Sequence, residues 1–146
     1  MRIEIDVDDK YANTEVIIRT PKITQEIEKM IALMRMINMQ IGVKYNDETY
    51  LLDIEKILYI DTVDRKTLVY TEDEIYESDL KLYEIEMELV ERDFLRVSKQ
   101  TIVNLRKVKS LRAEFDRKIR LTLQNGEQII VSRMYSDELR RKLGLK

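Results

Sequence analysis

The chain has 146 residues, enough for one ordinary domain or for one domain with a short appendage. It contains no cysteine and no histidine, which excludes disulfides, thiolate zinc sites and every nucleophile that depends on either residue. The net charge is only −2, but residues 1–91 hold 11 basic and 22 acidic side chains (−11), whereas residues 92–146 hold 15 and 6 (+9). Such a concentration of positive charge is typical of a protein with a polyanionic partner, although segments distant in sequence can also neutralise each other.

The sequence offers little for a membrane anchor or for catalysis. No stretch approaches the roughly 18 consecutive apolar residues of a membrane span, and the first ten residues lack the apolar centre of a signal peptide. We therefore expect a cytoplasmic protein. The three glycines are scattered, so no glycine-rich phosphate loop exists, and the carboxylates fall where turns and solvated faces are expected. We expect no enzyme activity, no cofactor and no metal.

Residues 1–39 form a predicted N-terminal extension that begins with a β-hairpin. Ile3, Ile5 and Val7 alternate with acidic residues, which is the period-two pattern of a half-buried strand. The segment 15–19 is a plausible antiparallel return, and Pro21 ends it.

A helix is predicted next, from its N-cap Thr24 to about Asn38. Its apolar positions are spaced 4, 3, 4 and 3 residues apart, as in a coiled-coil seam: Ile23, Ile27, Met30, Met34 and Ile37. Two interpretations remain open. The stripe packs on the protein's own strands, or it forms a dimer with a second copy.

From Gln40 onward the pattern changes to many short strands. The segments IGVKY and ETYLLD flank the turn pair Asn46-Asp47, and ILYIDTV and TLVYT flank the polar residues 64–66, before EIYES. A helix is predicted to start near Ser78, with Leu80, Tyr83, Met87 and Val90 on its apolar face. Four further strands follow, the last two joined at Asn125-Gly126, and a helix over residues 136–143 closes the chain.

Basic side chains in the C-terminal half sit beside breaks between strands. The segment FLRVSKQTIVNLRKVKSLRAEFDRKIRLTLQNGEQIIVSRMYSDELRRKLG, residues 94–144, resembles the C-terminal half of LytTR DNA-binding domains. The shared pattern is F-x-R-x-x-[KR]-x-x-I-V-N, a K-V connection and a final I-x-V-S-R-x-Y. The segment YLLDIEKILYIDTVDRKTLVYT, residues 50–71, resembles the opening of that family. Together the two segments cover roughly 100 residues.

This resemblance implies a mostly β fold with short helices, in which loops between strands enter two successive major grooves of DNA, with minor-groove contacts between them. Carried onto this sequence, the first loop is 64–66 with Arg65 and Lys66, the second is Ser98, Lys99 and Gln100, and the third ends at Arg133. These residues are the implied base contacts. The implied phosphate contacts, or residues that hold the loops, are Arg96, Arg106 and Lys107. Asn104 is expected to fix the turn that follows it.

We expect residues 40–146 to form the DNA-binding domain, and residues 1–39 to be too short for the receiver domain that many members of the family carry. Regulation by a phosphorelay on this chain is therefore not expected. The extension is the candidate dimerisation element, so the expected partners are promoter DNA and a second copy of the chain. The alternative is a protein-interaction module that keeps the fold without binding DNA, which the acidic residues 1–91 favour.

Overall fold

A computed structural model describes residues 1–37, 39–89 and 91–145 of the chain. These residues fall into two units, 1–36 and 37–146. One helix, α1 (Gln25–Ile37), lies in the first unit except for its last residue. The predicted helix end at Asn38 and the side chain of Ile37 lie outside what the structure describes.

The β-hairpin predicted within residues 3–19 is wrong, because residues 1–24 contain no strand. The alternating side chains Ile3, Ile5 and Val7 are 76%, 84% and 89% exposed. An isolated two-stranded hairpin is marginally stable in water, and a period-two pattern forms a strand only where another layer buries its apolar face. None of residues 1–34 is buried, so this part of the chain has no core of its own.

The second unit is built on a seven-stranded antiparallel sheet of order β2-β1-β5-β4-β3-β7-β6. Its strands are β1 (Gln40–Tyr45), β2 (Glu48–Asp53), β3 (Tyr59–Val63), β4 (Lys66–Tyr70), β5 (Ile75–Ser78), β6 (Phe94–Arg96) and β7 (Thr101–Asn104). A smaller sheet has the order β10-β9-β8 and consists of β8 (Val108–Ala113), β9 (Ile119–Leu123) and β10 (Gln128–Val131). The helices of this unit are α2 (Leu82–Leu89) and α3 (Arg133–Lys142).

Alternate residues of the large sheet point into two separate hydrophobic cores, as the geometry of a pleated strand requires. On β7, Ile102 belongs to the core that includes α2, and Val103 belongs to the core that includes β9, β10 and α3. The large sheet is thus the middle layer, with α2 on one face and the small sheet with α3 on the other. The prediction of a mostly β fold with short helices is confirmed.

Two helix predictions need correction. Helix α2 buries Leu82, Ile85 and Leu89, whereas Tyr83 and Met87 of the predicted apolar face are 56% and 74% exposed. This segment has two sets of apolar residues with the same helical spacing, so spacing alone does not identify the buried face. The helix also begins later than predicted, because Ser78 pairs with Thr67 and belongs to β5. Val90 lies outside the described residues. Helix α3 begins three residues earlier than predicted, directly after Ser132.

Candidate nucleic-acid interface

The first predicted loop is a two-residue turn that joins β3 to β4. Val63 pairs with Lys66 across the hairpin, and the two central residues, Asp64 and Arg65, have φ of 50° and 67°. This left-handed pair is the geometry that matches the twist of a hairpin. Lys66 is therefore the first residue of β4 and not part of the loop, and residues 64–66 are all exposed.

The second predicted loop, residues 98–100, lies beside this turn because β7 pairs with β3. The Thr62 amide donates to the Gln100 carbonyl at 2.8 Å, and the Gln100 amide donates to the Ser98 hydroxyl at 3.2 Å. Val97, which directly precedes the loop, is fully buried and anchors it to the core. Lys99 and Gln100 are exposed, whereas Ser98 is half-buried.

Arg96 lies under the second loop and points its guanidinium at the loop backbone. It donates to the Ser98 carbonyl at 2.8 Å and to the Lys99 carbonyl, and it forms an ion pair with Glu86 of α2 at 3.2 Å. Its side chain is only 17% exposed. The geometry makes Arg96 a residue that positions the loop and leaves it little surface for a phosphate.

The third predicted element is the start of α3. The Ser132 amide donates to the Val97 carbonyl at 2.9 Å, which fixes this helix start next to the second loop. Arg133 is the first residue of α3 and is exposed. Its guanidinium lies 3.4 Å from the Asp116 carboxylate in the connection between β8 and β9.

The structure thus brings the three predicted elements to one edge of the domain, which we call the loop edge and define as residues 64–66, 98–100 and 132–133. Within the described residues, no ion pair involves Arg65, Lys66 or Lys99. The N-terminus of α3 adds partial positive charge to the same edge. Exposed cations without carboxylate partners, next to a helix N-terminus, suit the binding of phosphate groups.

Arg106 and Lys107 are not on the loop edge. They lie in a short 3-10 turn (Leu105–Lys107) after the last residue of β7, at the opposite end of that strand. At about 3.4 Å per residue, β7 alone puts about 10 Å between the two ends. Arg106 pairs with Asp93 at 2.8 Å, and the hydrogen bond to Asp93 raises the pKa of its guanidinium.

Asn104 holds this turn, as expected from the sequence. Its buried side chain accepts a hydrogen bond from the Arg106 amide at 3.1 Å and donates to the Ile57 carbonyl at 2.9 Å. We call residues 104–107 together with Asp93 the far edge.

Sequence reasoning missed two side chains that act on the predicted loops, Glu86 and Asp116. Each is a carboxylate on another element whose partner arginine lies ten or more residues away along the chain. No local signal marks either one, because the partner is set by the fold. The described part of the chain shows no group of three or more side chains placed to hold a metal ion. It also shows no helix long and apolar enough to cross a membrane.

Comparisons with solved structures and family models identify the family of this domain. The family model described as the LytTr DNA-binding domain matches residues 47–144. The structure of a LytTr DNA-binding domain from a Bacillus cereus response regulator aligns with a TM-score of 0.69 and 27% identity, over 73% of this chain and 97% of that one.

Relatives fall into two groups by length. The sensory transduction protein LytT of Bacillus subtilis is 30% identical over 104 residues, and that of Enterococcus faecalis is 28% identical over 105 residues. This chain spans only 43% of the length of each. An uncharacterized HTH-type transcriptional regulator of Staphylococcus aureus is 23% identical over 147 residues, 99% of both chains. The family match over well more than half of the sequence, with the shared fold, shows that this chain belongs to the LytTr DNA-binding domain family.

Proposed function

We propose that this protein is a sequence-specific transcriptional regulator that binds promoter DNA through the loop edge. The observation that carries the proposal is the convergence of two loops and a helix start, distant in sequence, on one edge of the domain, where Arg65, Lys66 and Lys99 are exposed and form no ion pair within the described residues. Family membership supports duplex DNA as the ligand.

Within this proposal, Arg65, Lys66, Lys99, Gln100 and Arg133 read bases in two successive major grooves. Arginine and lysine suit the guanine edge, where O6 and N7 both accept hydrogen bonds, and glutamine suits adenine. Ser98 is half-buried and its hydroxyl accepts from the Gln100 amide, so it shapes the loop more than it contacts DNA. The β3–β4 turn and the loop of residues 98–100 are both hydrogen-bonded to β3, which fixes the distance between them as they approach the DNA.

Arg96 serves this interface by holding the second loop from below. Arg106 and Lys107 stand apart from it, and Arg106 would have to give up Asp93 before it could bind a phosphate. We assign both to the far edge and to the stability of the turn after β7.

Residues 1–39 are proposed to be a dimerisation element, and residues 40–146 the DNA-binding domain. Support comes from α1, where the seam residues Ile27, Met30 and Met34 stay half-exposed and Leu33 is 63% exposed. A second copy of the same helix would cover such a seam, because matched apolar stripes pack into each other. A dimer of this kind binds two half-sites about one or more helical turns apart.

Binding to promoter DNA tests the main proposal. Fluorescence anisotropy with genomic promoter fragments should show binding that weakens steeply with salt, by a factor of about 10³ or more between 50 and 200 mM if six or more phosphates are neutralised. A module that binds only protein partners need not show such a dependence. Absence of binding to any genomic fragment at low salt would contradict the proposal.

The mass of the protein in solution tests the dimerisation element. Multi-angle light scattering of the full chain should give a dimer, and of a variant lacking residues 1–39 a monomer. An unchanged oligomeric state after the deletion would refute the role of α1.

A further inference from the structure

Two turns of the DNA-binding domain share one tripeptide, and in both its first two residues have left-handed backbone. Residues 64–66 and residues 116–118 both read Asp-Arg-Lys. The aspartate and arginine have φ of 50° and 67° in the first turn and 62° and 61° in the second. The second turn closes the β8–β9 hairpin, where the Glu114 amide donates to the Lys118 carbonyl at 2.8 Å.

An arginine is an unfavourable choice for this conformation. Left-handed backbone places Cβ close to the following carbonyl oxygen, so the second central position of such a turn favours glycine. Between β9 and β10 the residue with left-handed backbone is indeed a glycine, Gly126, with a φ of 92°. Arginine at both Asp-Arg-Lys turns therefore goes against local backbone preference, which points to a role for its side chain.

The second turn lies next to the loop edge. Val131 at the end of β10 pairs with Ile119 at the start of β9, so the β8–β9 turn and the start of α3 are at the same end of the small sheet. The Asp116 carboxylate then contacts the Arg133 guanidinium at 3.4 Å. A duplex bound at Arg133 would therefore run past this turn.

The charges on the hairpin favour an anionic partner. Glu114 at its base is already paired with Arg112 and Arg120, and these hydrogen bonds, that from Arg120 first, lower the pKa of its carboxyl group. Arg117 and Lys118 are exposed, and no ion pair within the described ranges involves either of them.

The turn also presents an aromatic ring to solvent. Phe115 is 94% exposed, more than any other large apolar side chain in the part of the chain that the structure describes. It occupies the position that Val63, 41% exposed, has in the first turn. Proteins that bind along a minor groove use apolar side chains of this kind against sugars and base steps.

We propose that residues 115–118 are a second DNA-contacting turn, in which Arg117 and Lys118 bind phosphates and Phe115 packs against the adjoining minor groove. The proposal rests on the proposed function, because it requires a duplex at the loop edge. Its contribution is independent of base sequence, since all of its contacts are to the backbone and the groove wall.

The double variant Arg117→Gly/Lys118→Ala tests the phosphate contacts. Glycine suits the left-handed position, so the variant should fold with an equal or higher Tm and any loss of binding comes from the lost cations. The logarithm of the binding constant falls linearly with the logarithm of the salt concentration, and each phosphate contact adds about 0.9 to the steepness of that line. Loss of two contacts should therefore reduce the steepness of this salt slope by about two. Between 50 and 200 mM salt the unmodified protein should then lose about tenfold more affinity than the variant. The loss at low salt should be similar for promoter and unrelated duplexes.

Lys56→Ala/Lys142→Ala is the matched control, because it removes the same charge from exposed positions away from the loop edge. Its slope should equal that of the unmodified protein. If Arg117→Gly/Lys118→Ala keeps the unmodified slope, the second turn does not contact DNA and the proposed function stands. If the unmodified protein binds no promoter fragment, both proposals fail.

Phe115→Ala tests the ring separately. Affinity for every duplex should fall by about three- to tenfold, with the salt slope unchanged, because an apolar contact releases no counterions. Light scattering of Phe115→Ala without DNA tests the alternative that Phe115 contacts a second copy of the chain. A variant that loses its dimer but keeps its DNA affinity would show that Phe115 contacts a second copy, and would overturn its assignment to DNA.

Discussion

The loop edge and the far edge lie at opposite ends of β7 and differ in how many of their basic side chains are paired with carboxylates. Within the described residues, Arg133 is the paired one of four on the loop edge, and Arg106 is the paired one of two on the far edge. On the loop edge, Arg65, Lys66 and Lys99 are exposed and take part in none of the ion pairs that the described residues form. On the far edge, Arg106 is held by Asp93. A cleft of about 420 Å³ beside it is also lined by the carboxylates of Asp53, Glu55 and Glu91.

This difference shows why net charge alone does not locate an interface. The +9 of residues 92–146 counts Arg106 and Lys99 equally. Only Lys99 can approach a phosphate without first losing a carboxylate partner. Substitutions at one edge at a time therefore distinguish which edge binds DNA.

The largest loss of binding is expected from Lys99→Ala and Arg133→Ala on the loop edge. Each should weaken binding to the preferred promoter site by about 1–3 kcal/mol and relax the preference at particular base pairs. Anisotropy titrations against a panel of single-base variants of the site measure both effects. A loss that is the same for every sequence would make these residues phosphate contacts.

Arg96→Gln should weaken binding by about 1–2 kcal/mol although the side chain lies beneath the loop, because two charge-assisted hydrogen bonds to the loop carbonyls are lost, together with the ion pair that anchors Arg96 to Glu86. The amide resonances of residues 98–100 should shift in the free protein, before any DNA is added. Glu86→Gln is the control, since it leaves both bonds from Arg96 to the loop carbonyls in place and should have a smaller effect. Unchanged loop resonances in Arg96→Gln would contradict the positioning role.

Asp116→Asn should strengthen binding to unrelated duplexes by about 0–1 kcal/mol, the range for exposed ion pairs. The Asp116 and Arg133 side chains are 55% and 64% exposed, and the lost carboxylate would otherwise repel phosphates. Promoter and unrelated duplexes are compared at one salt concentration. Weaker binding to both would instead show that Asp116 orients Arg133 for contact.

The smallest effect is expected on the far edge. Arg106→Ala should leave DNA affinity within about twofold, as for surface substitutions away from a site, and Asn104 still caps the turn. A titration at low salt, where phosphate contacts are strongest, is the most sensitive check. A loss as large as that of Lys99→Ala would mean that DNA reaches both edges.

Local chemistry in the sequence predicted much of this fold. Asn46-Asp47 and Asn125-Gly126 marked their hairpins because few residues tolerate the left-handed backbone that Asn46, Asp47 and Gly126 adopt. Hydrophobic periodicity gave wrong predictions where tertiary packing decides which residues are buried. Ile3, Ile5 and Val7 alternate correctly but have no layer to bury them, and α2 offers two stripes of equal spacing, of which the sheet selects the one with Ile85.

The sequence indicates which loops form the candidate site, but it does not indicate how they are arranged in space. Sequence order gives no sign that Ser132 bonds to Val97, or that Arg106 faces Asp93. These contacts join segments that only the fold brings together. They determine which basic residues are free to meet a phosphate.

Chemical-shift mapping by NMR, with a promoter duplex added to the isotope-labelled protein, tests directly whether DNA binds at the loop edge. We expect the largest backbone amide changes at residues 64–66, 98–100 and 132–133, and little change at residues 104–107 and Asp93. Largest changes at the far edge, with the loop edge unaffected, would contradict this expectation.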